Sequence, residues 1–260
     1  MGIVNYNIQR FLDAQMGVYS TALKEIKDGH KESDWIRYIF PQLRGLGHSY
    51  NSDYYGLNDV FEAIEYYNNP ILQARLVETT DALIHHKEKT VFSILAEVDV
   101  KKVLSCASIF HTIDPDNTLF EEVIDIINLG DIDKETIDLV YDGFRKDIIS
   151  CYSAHKEACD VYFEEIIDDD ILRNPLLICD LNVKYDLNNK CWRIGEYLFF
   201  GDFIVENDQV FLGVFDLHTG PPDYFGANLQ SIPFNLLLTF RNKLLNYINH
   251  GTETSLHRFD

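Results

Sequence analysis

The sequence predicts an α+β fold: a multihelical N-terminal domain over residues 1–170, then a small antiparallel-sheet domain with a C-terminal helix over residues 171–260. Three observations carry this expectation. Apolar residues recur at three- and four-residue steps up to Ile166, alternation typical of strands takes over between Leu176 and Leu217, and helical spacing returns from Phe234 to Ile248. A chain of 260 residues is near the size at which single cores stop growing, which favours two domains.

The first helix is expected to carry Phe11, Ala14, Val18, Tyr19, Ala22 and Ile26 on one stripe and to end at Gly29. Ser33 is the expected cap of a short second helix with Trp35, Ile36, Ile39 and Phe40, closed by Pro41, and the loop Gly45–Ser49 follows. A third helix fits Asp59–Tyr67. Asn69-Pro70 reads as an N-cap followed by proline at the first position of a fourth, with Leu72, Leu76, Leu83 and Ile84 inward. Shorter helices are expected at 90–95, 100–110, 119–128 and 134–141, and a longer one runs from Phe144 towards Asp168-Asp169-Asp170, where the domain boundary is placed. Strands follow at 176–185, 191–195, 197–206 and 209–217, with a turn at Leu187–Lys190, and the helix at 234–248 covers one face of the sheet.

The formal charge of −20 repels phosphate backbones and anionic lipid surfaces, so duplex nucleic acid and membranes are not expected partners; the same charge would suit a basic protein partner, and the plainer reading is a solvated acidic surface. No run reaches the roughly 20 apolar residues of a membrane span, and the start of the chain lacks a secretory pattern, so a cytoplasmic location is expected. The five cysteines, Cys106, Cys151, Cys159, Cys179 and Cys191, form no CxxC pair and read as reduced thiols. Cys151, His155 and Cys159 share one helix face at four-residue steps, but two or three ligands on one helix do not close a zinc site, and buried side chains are the plainer reading. No pattern calls for a cofactor or metal.

Phe11-Leu12-Asp13-Ala14-Gln15, the run Trp35-Ile36-Arg37-Tyr38-Ile39-Phe40-Pro41-Gln42 and Gly45-Leu46-Gly47-His48-Ser49 resemble the family of domain-of-unknown-function 1810 (DUF1810). Tyr55-Gly56-Leu57, Glu62-Ala63, the stretch 70–76 and the stretch 99–110 follow in that family's order, so the likeness spans roughly residues 8–142. It implies an all-helical domain. The chain departs from the pattern at Asp34, where the family usually has histidine, and at Arg37, where it has an aromatic residue. A looser likeness, chiefly the Phe-x-x-Ala-Gln helix, connects the domain to the YbiA-like or NADAR superfamily and implies NAD- or ADP-ribose-related N-glycosidic chemistry.

Under that implication, the candidate ligand contacts are Gln15, Trp35, Tyr38, Gln42, Ser49, Tyr55, Arg75 and Lys102. Tryptophan and tyrosine offer faces for a planar base, arginine and lysine meet phosphate, and a glutamine on an apolar face needs a polar partner. Each has a plain structural reading too: aromatic core, surface ion pair, an amide joining helix to loop. Without histidine at position 34, a catalytic acid or base would be a carboxylate, and Asp13, Asp34 and Glu78 are the candidates. The His85-His86 pair reads as a solvated helix end, and Asp216–Tyr224 gathers a histidine and two acids in a loop equally suited to turn chemistry. The leading expectation is a nucleotide-pocket enzyme acting on an ADP-ribose-like N-glycoside. Its rival is a noncatalytic inhibitor or immunity-type protein whose acidic face meets a basic partner.

Overall fold

Gly17 interrupts the first apolar stripe. The expected single helix is therefore two, α1 (Gln9–Met16) and α2 (Tyr19–Asp28), because glycine costs an α-helix about 1 kcal/mol and the stripe can continue across a short break. Phe11, Ala22 and Ile26 still face the core. The computed structural model describes residues 6–155 and 158, the backbone of 183–186, 191–194, 197–206 and 209–216, and the helix at 234–250. Two compact units divide the chain, residues 2–144 and residues 145–260.

In the first unit, α2 ends at Gly29, whose φ of +75° turns the chain left-handed while His30 N–H donates to Glu25 O. The single turn α3 (Ile36–Ile39) has no side-chain cap. Ser33, expected to cap it, instead joins Trp35 on the carboxylate of Glu25: the amides of Glu32 and Ser33, the Ser33 hydroxyl and the Trp35 indole all donate to it. Next comes α4 (Tyr50–Tyr55), capped by Ser49 in a box with Ser52. Asp59 caps α5 (Val60–Asn68), and Asn69 caps α6 (Pro70–Ile84) with Pro70 in its first turn, as the sequence predicts. Then follow α7 (Val91–Ile94), α8 (Glu97–Ile113), α9 (Thr118–Asn128) and α10 (Lys134–Ala154). Helix α10 joins two segments that the sequence reads as separate.

Helix α6 is the hub, contacting α1, α2, α3, α5, α7 and α9. Leu72, Leu76 and Leu83 are its buried face, and the surrounding core is aromatic, with Phe11, Trp35, Phe40, Tyr66, Phe110 and Phe120 all under 2% exposed. Among the described residues, the most deeply buried ion pair of this unit joins Arg10 and Glu62. Arg10 donates to Glu62 and also to the carbonyls of Asn7, Tyr54 and Gly56, while Glu62 accepts from the backbone and side-chain nitrogens of Asn58.

In the second unit, backbone pairing joins β1 (Val183–Asp186), β2 (Cys191–Ile194), β3 (Tyr197–Glu206) and β4 (Gln209–Asp216) antiparallel in chain order, with Val183 opposite Ile194 and Glu206 opposite Gln209. Helix α11 (Phe234–His250) buries Phe234 and Leu237, and its Arg241 grips Asp147 through two N–H···O contacts of 2.5 and 2.9 Å. The α+β class expected from the sequence is corrected. Every regular element whose side chains are described is a helix, so the described fold is all-α and no packed sheet layer with a covering helix occurs in it. Strand periodicity reports backbone pairing, whereas a fold class follows from the elements that bury the core, and the buried core described lies on the helices and their connections. The expected boundary near residue 170, Cys159, Cys179 and the loop after Asp216 lie outside the described residues.

Three outcomes test these contacts. A Cβ on Gly29 would stand 2.6 Å from Lys89 Cδ and 2.9 Å from His86 Nε2, so Gly29→Ala should cost roughly 1–2 kcal/mol in urea unfolding. Glu62→Ala leaves Arg10 buried without its carboxylate and should cost about 3–5 kcal/mol in the same assay. Burial pushes the Glu25 carboxyl up, but the hydrogen bonds from Ser33, Glu32 and Trp35 outweigh it and bring it from 4.5 down to about 2. Between those values the unfolded chain binds the proton more readily, so this stabilisation is complete above pH 4.5 and lost as pH falls towards 2. The stability gap between wild type and Glu25→Gln should close over that window; a gap independent of pH would contradict the assignment.

Candidate functional site

The side chains nearest a candidate site are held by the start of α1 and the whole of α4. Capping at Ser49 starts α4 and presents Tyr50, Asp53 and Tyr54 on its outer side, while Arg10 ties the end of α4 to α1 through the Tyr54 and Gly56 carbonyls. Between them lies an open cleft of about 480 Å³ lined by Asn7, Arg10, Arg44, Tyr50, Asp53, Tyr54 and Asn58. Arg10 is its buried wall, with four of its five N–H hydrogens engaged. Arg44 is exposed, spends its Nε–H on the Asp53 carbonyl, and has no carboxylate within ion-pair distance among the described residues.

A row of tyrosine rings leads away from the cleft. Tyr50 and Tyr54 stack at 6.1 Å and 12°, Tyr54 meets Tyr55 edge-on at 4.9 Å, and Tyr55 meets Tyr38 at 5.1 Å. Tyr50 is 80% and Tyr54 44% exposed, so the outer rings present faces to solvent. Burial, then the neighbouring phenols, raise Tyr55 above its ordinary value; burial, then Tyr55 and Asp34, do the same for Tyr38. Both stay neutral hydrogen-bond donors at neutral pH.

At the inner end of the row, Gln15 is fully buried and its amide donates to the Tyr38 carbonyl and, at 3.2 Å, to the Tyr66 hydroxyl. Its carbonyl accepts from Arg75 Nη1 at 3.3 Å. Arg75 stands over the Tyr19 ring at 4.8 Å, and the Tyr19 hydroxyl donates to Glu78. Burial, followed by the Glu78 hydrogen bond and its charge, holds the Tyr19 phenol well above its ordinary value.

Of the residues singled out from the sequence, Gln15, Tyr38, Tyr55, Arg75 and Glu78 therefore belong to one connected cluster. Asp34 meets it through its backbone carbonyl, and the others do not join it. Trp35 is fully buried, with its indole spent on Glu25 and Lys31 Nζ 5.3 Å over its ring. Lys102 pairs with Asp99 at 2.6 Å, beside Lys31 at 3.1 Å. Burial works to raise the Asp99 carboxyl, but the two lysines lower it overall. Gln42 contributes backbone, its carbonyl accepting from Leu57 N–H, and Ser49 is a helix cap. Asp13 is exposed and accepts from Gln9, and Asp34 is exposed and offers its carbonyl to the Tyr38 hydroxyl. Among the described residues no group of three metal-ligating side chains occurs, and no helix is long and apolar enough to cross a membrane.

Sequence reasoning missed the cleft itself. Arg44, Tyr50, Asp53 and Tyr54 lie in or beside a segment with no apolar period, where the available signal was Ser49 with Ser52 three residues on, a capping pattern, and Arg10 stands beside Phe11 on the first apolar stripe. Charge pairing marks the same region. The first unit has four arginines, and Arg37, Arg44 and Arg75 have no carboxylate within ion-pair distance among the described residues, whereas Lys24, Lys27, Lys31, Lys101 and Lys102 all do. In a chain with 42 acids and 22 bases, unpaired arginines are the less expected arrangement.

The chain is similar to a solved structure, the crystal structure of the conserved hypothetical protein Rv1873 from Mycobacterium tuberculosis. The two share 29% identity and superpose with a TM-score of 0.50 over 52% of this chain and 97% of that one. No curated protein matches the sequence. A family model described as a protein of unknown function, DUF1810, matches residues 5–140, and with more than half of the chain covered the protein belongs to that family.

Proposed function

We propose that the helical unit binds a nucleotide-class ligand along the tyrosine row and acts on an ADP-ribose-like N-glycoside. The observation that carries this reading is the row Tyr50–Tyr54–Tyr55–Tyr38, which begins in a cleft holding the unpaired Arg44. An aromatic face stacks on a base whatever its sequence identity, and a guanidinium fork fits a phosphate with two parallel hydrogen bonds. Both features are set on a strongly acidic protein, where free cations would otherwise be neutralised by nearby carboxylates.

Hydrolysis of an N-glycoside breaks the bond between the anomeric carbon and the base nitrogen, with water supplying a hydroxyl to the carbon and a proton to the departing base. Asp53 lines the cleft and is the carboxylate we assign to orienting that water. Asp13, Asp34 and Glu78 do not line it. The rival reading, an acidic protein that meets a basic partner, draws support from the burial of Gln15 and Trp35, which leaves neither free to touch a ligand in the cleft.

Calorimetric titration of the full chain with ADP-ribose, NAD and AMP at low ionic strength, with chromatography of the products, separates these readings. Arg44→Ala and Tyr54→Ala should each weaken binding about tenfold, roughly 1.4 kcal/mol. Asp53→Asn should keep binding and lose cleavage. Binding without cleavage in the wild type would reject the hydrolase and leave the ligand class standing. No binding at millimolar concentration would overturn the ligand class, and retention of a basic protein on the immobilised chain would then support the rival.

A further inference from the structure

Arg75 occupies a position that its structural contacts do not account for. It is half-buried on α6, its guanidinium lies over the Tyr19 ring at 4.8 Å, and its one hydrogen bond among the described residues, from Nη1 to Gln15 Oε1, is long at 3.3 Å. Gln15 is itself locked by the Tyr38 carbonyl and the Tyr66 hydroxyl, so the orientation of the guanidinium is fixed from beneath and from one side. The Nε–H and both Nη2 hydrogens have no acceptor among the described residues. Those three hydrogens include the edge that grips an oxyanion with two parallel bonds.

The local acid is used elsewhere. Glu78 sits three residues along α6, within reach of Arg75 by helix geometry, but it accepts from the Tyr19 hydroxyl and pairs with Lys27 at 3.7 Å. Arg75 is thus held rigid, partly desolvated and unpaired, and Lys27 offsets the repulsion that Glu78 would exert on an approaching anion. Partly burying a cation without a counter-charge is unfavourable unless an anion completes it.

We propose that Arg75, set by Tyr19 and Gln15 at the junction of α1, α2 and α6, is an oxyanion-binding position that takes the phosphoryl group of a small phosphorylated ligand. Its residues are distinct from those lining the Arg44 cleft, and the assignment stands on its own contacts whether or not that cleft binds a nucleotide.

The test follows the Arg75 Nε–H signal by nuclear magnetic resonance in the full chain, assigned by its loss in Arg75→Lys. Inorganic phosphate, AMP, adenosine and sodium chloride are titrated at matched ionic strength. Phosphate and AMP should shift the signal and saturate, while adenosine and chloride should not. Saturation by phosphate alone identifies the free ion as the ligand, and tighter saturation by AMP identifies a nucleotide; either supports the site. In a parallel calorimetric titration with inorganic phosphate, which does not rely on the Arg75 signal, Arg75→Gln should weaken binding about tenfold, and Arg44→Ala should leave it within about twofold of wild type. A linear, chloride-like response would overturn the proposal. So would binding that survives Arg75→Gln and is lost in Arg44→Ala, a result that would locate the anion in the cleft and leave the proposed function intact. Tyr19→Leu, which removes the ring beneath the guanidinium, should also weaken binding and serves if Arg75→Gln does not fold.

Discussion

The buried pair of Arg10 and Glu62 is the contact on which the rest of the described site depends. A guanidinium taken out of water needs nearly every hydrogen satisfied, and Arg10 meets that demand by drawing carbonyls from Asn7, Tyr54 and Gly56 onto one side chain. Those carbonyls belong to the entry to α1 and the end of α4, and Glu62 belongs to α5. The geometry of three helices is therefore set by the coordination of one cation, and the cleft beside it is the space they leave. An apolar residue at position 10 could fill the same volume without fixing where α4 ends.

The second organising constraint is how acids and bases are matched. With nearly twice as many acids as bases, the chain has carboxylates to spare, and Lys24, Lys27, Lys31, Lys101 and Lys102 take them. Three arginines of the helical unit do not. Lysine is strongly hydrated and pairs at the surface at little cost, whereas arginine tolerates partial burial against rings and carbonyls, as Arg75 does on Tyr19. The long-range field of the protein repels anions, while the edges of these guanidinium groups are left without a carboxylate among the described residues, a combination that gives a polyanion no attraction at a distance and suits the small-anion contact proposed for Arg75.

Local chemistry was legible wherever a cap or a period is written in adjacent residues. Asn69-Pro70 opened α6 because a side-chain oxygen two or three residues before free amides has few alternatives, and the helix expected from Asp59 starts there, with Asp59 as its cap. Ser33 shows the limit: a carboxylate from another helix, Glu25, captured its hydroxyl and the neighbouring amides, so the cap was lost to a tertiary partner. Helix α4 went unseen because Tyr-Asn-Ser-Asp-Tyr-Tyr has no apolar stripe, its stability coming from the box at Ser49 and the grip of Arg10 on its end. The strand alternation after residue 176 was legible as backbone pairing, and its reading as a packed α+β layer was the step that did not hold.

By itself, the sequence determined the helical class of the first unit, the helix end at Gly29, the cap at Asn69, and the presence of an amide on the inner face of α1, because these depend on neighbours within a turn or two. Tertiary structure alone decided which polar side chains would meet. Trp35 and Gln15 lie on similar stripes, yet one indole was consumed by Glu25 and one amide was set against Arg75, and nothing in their spacing distinguishes the two outcomes. Pairing across 60 residues of chain is settled by packing around α6, where each buried donor must find an acceptor among whatever helices the core brings alongside.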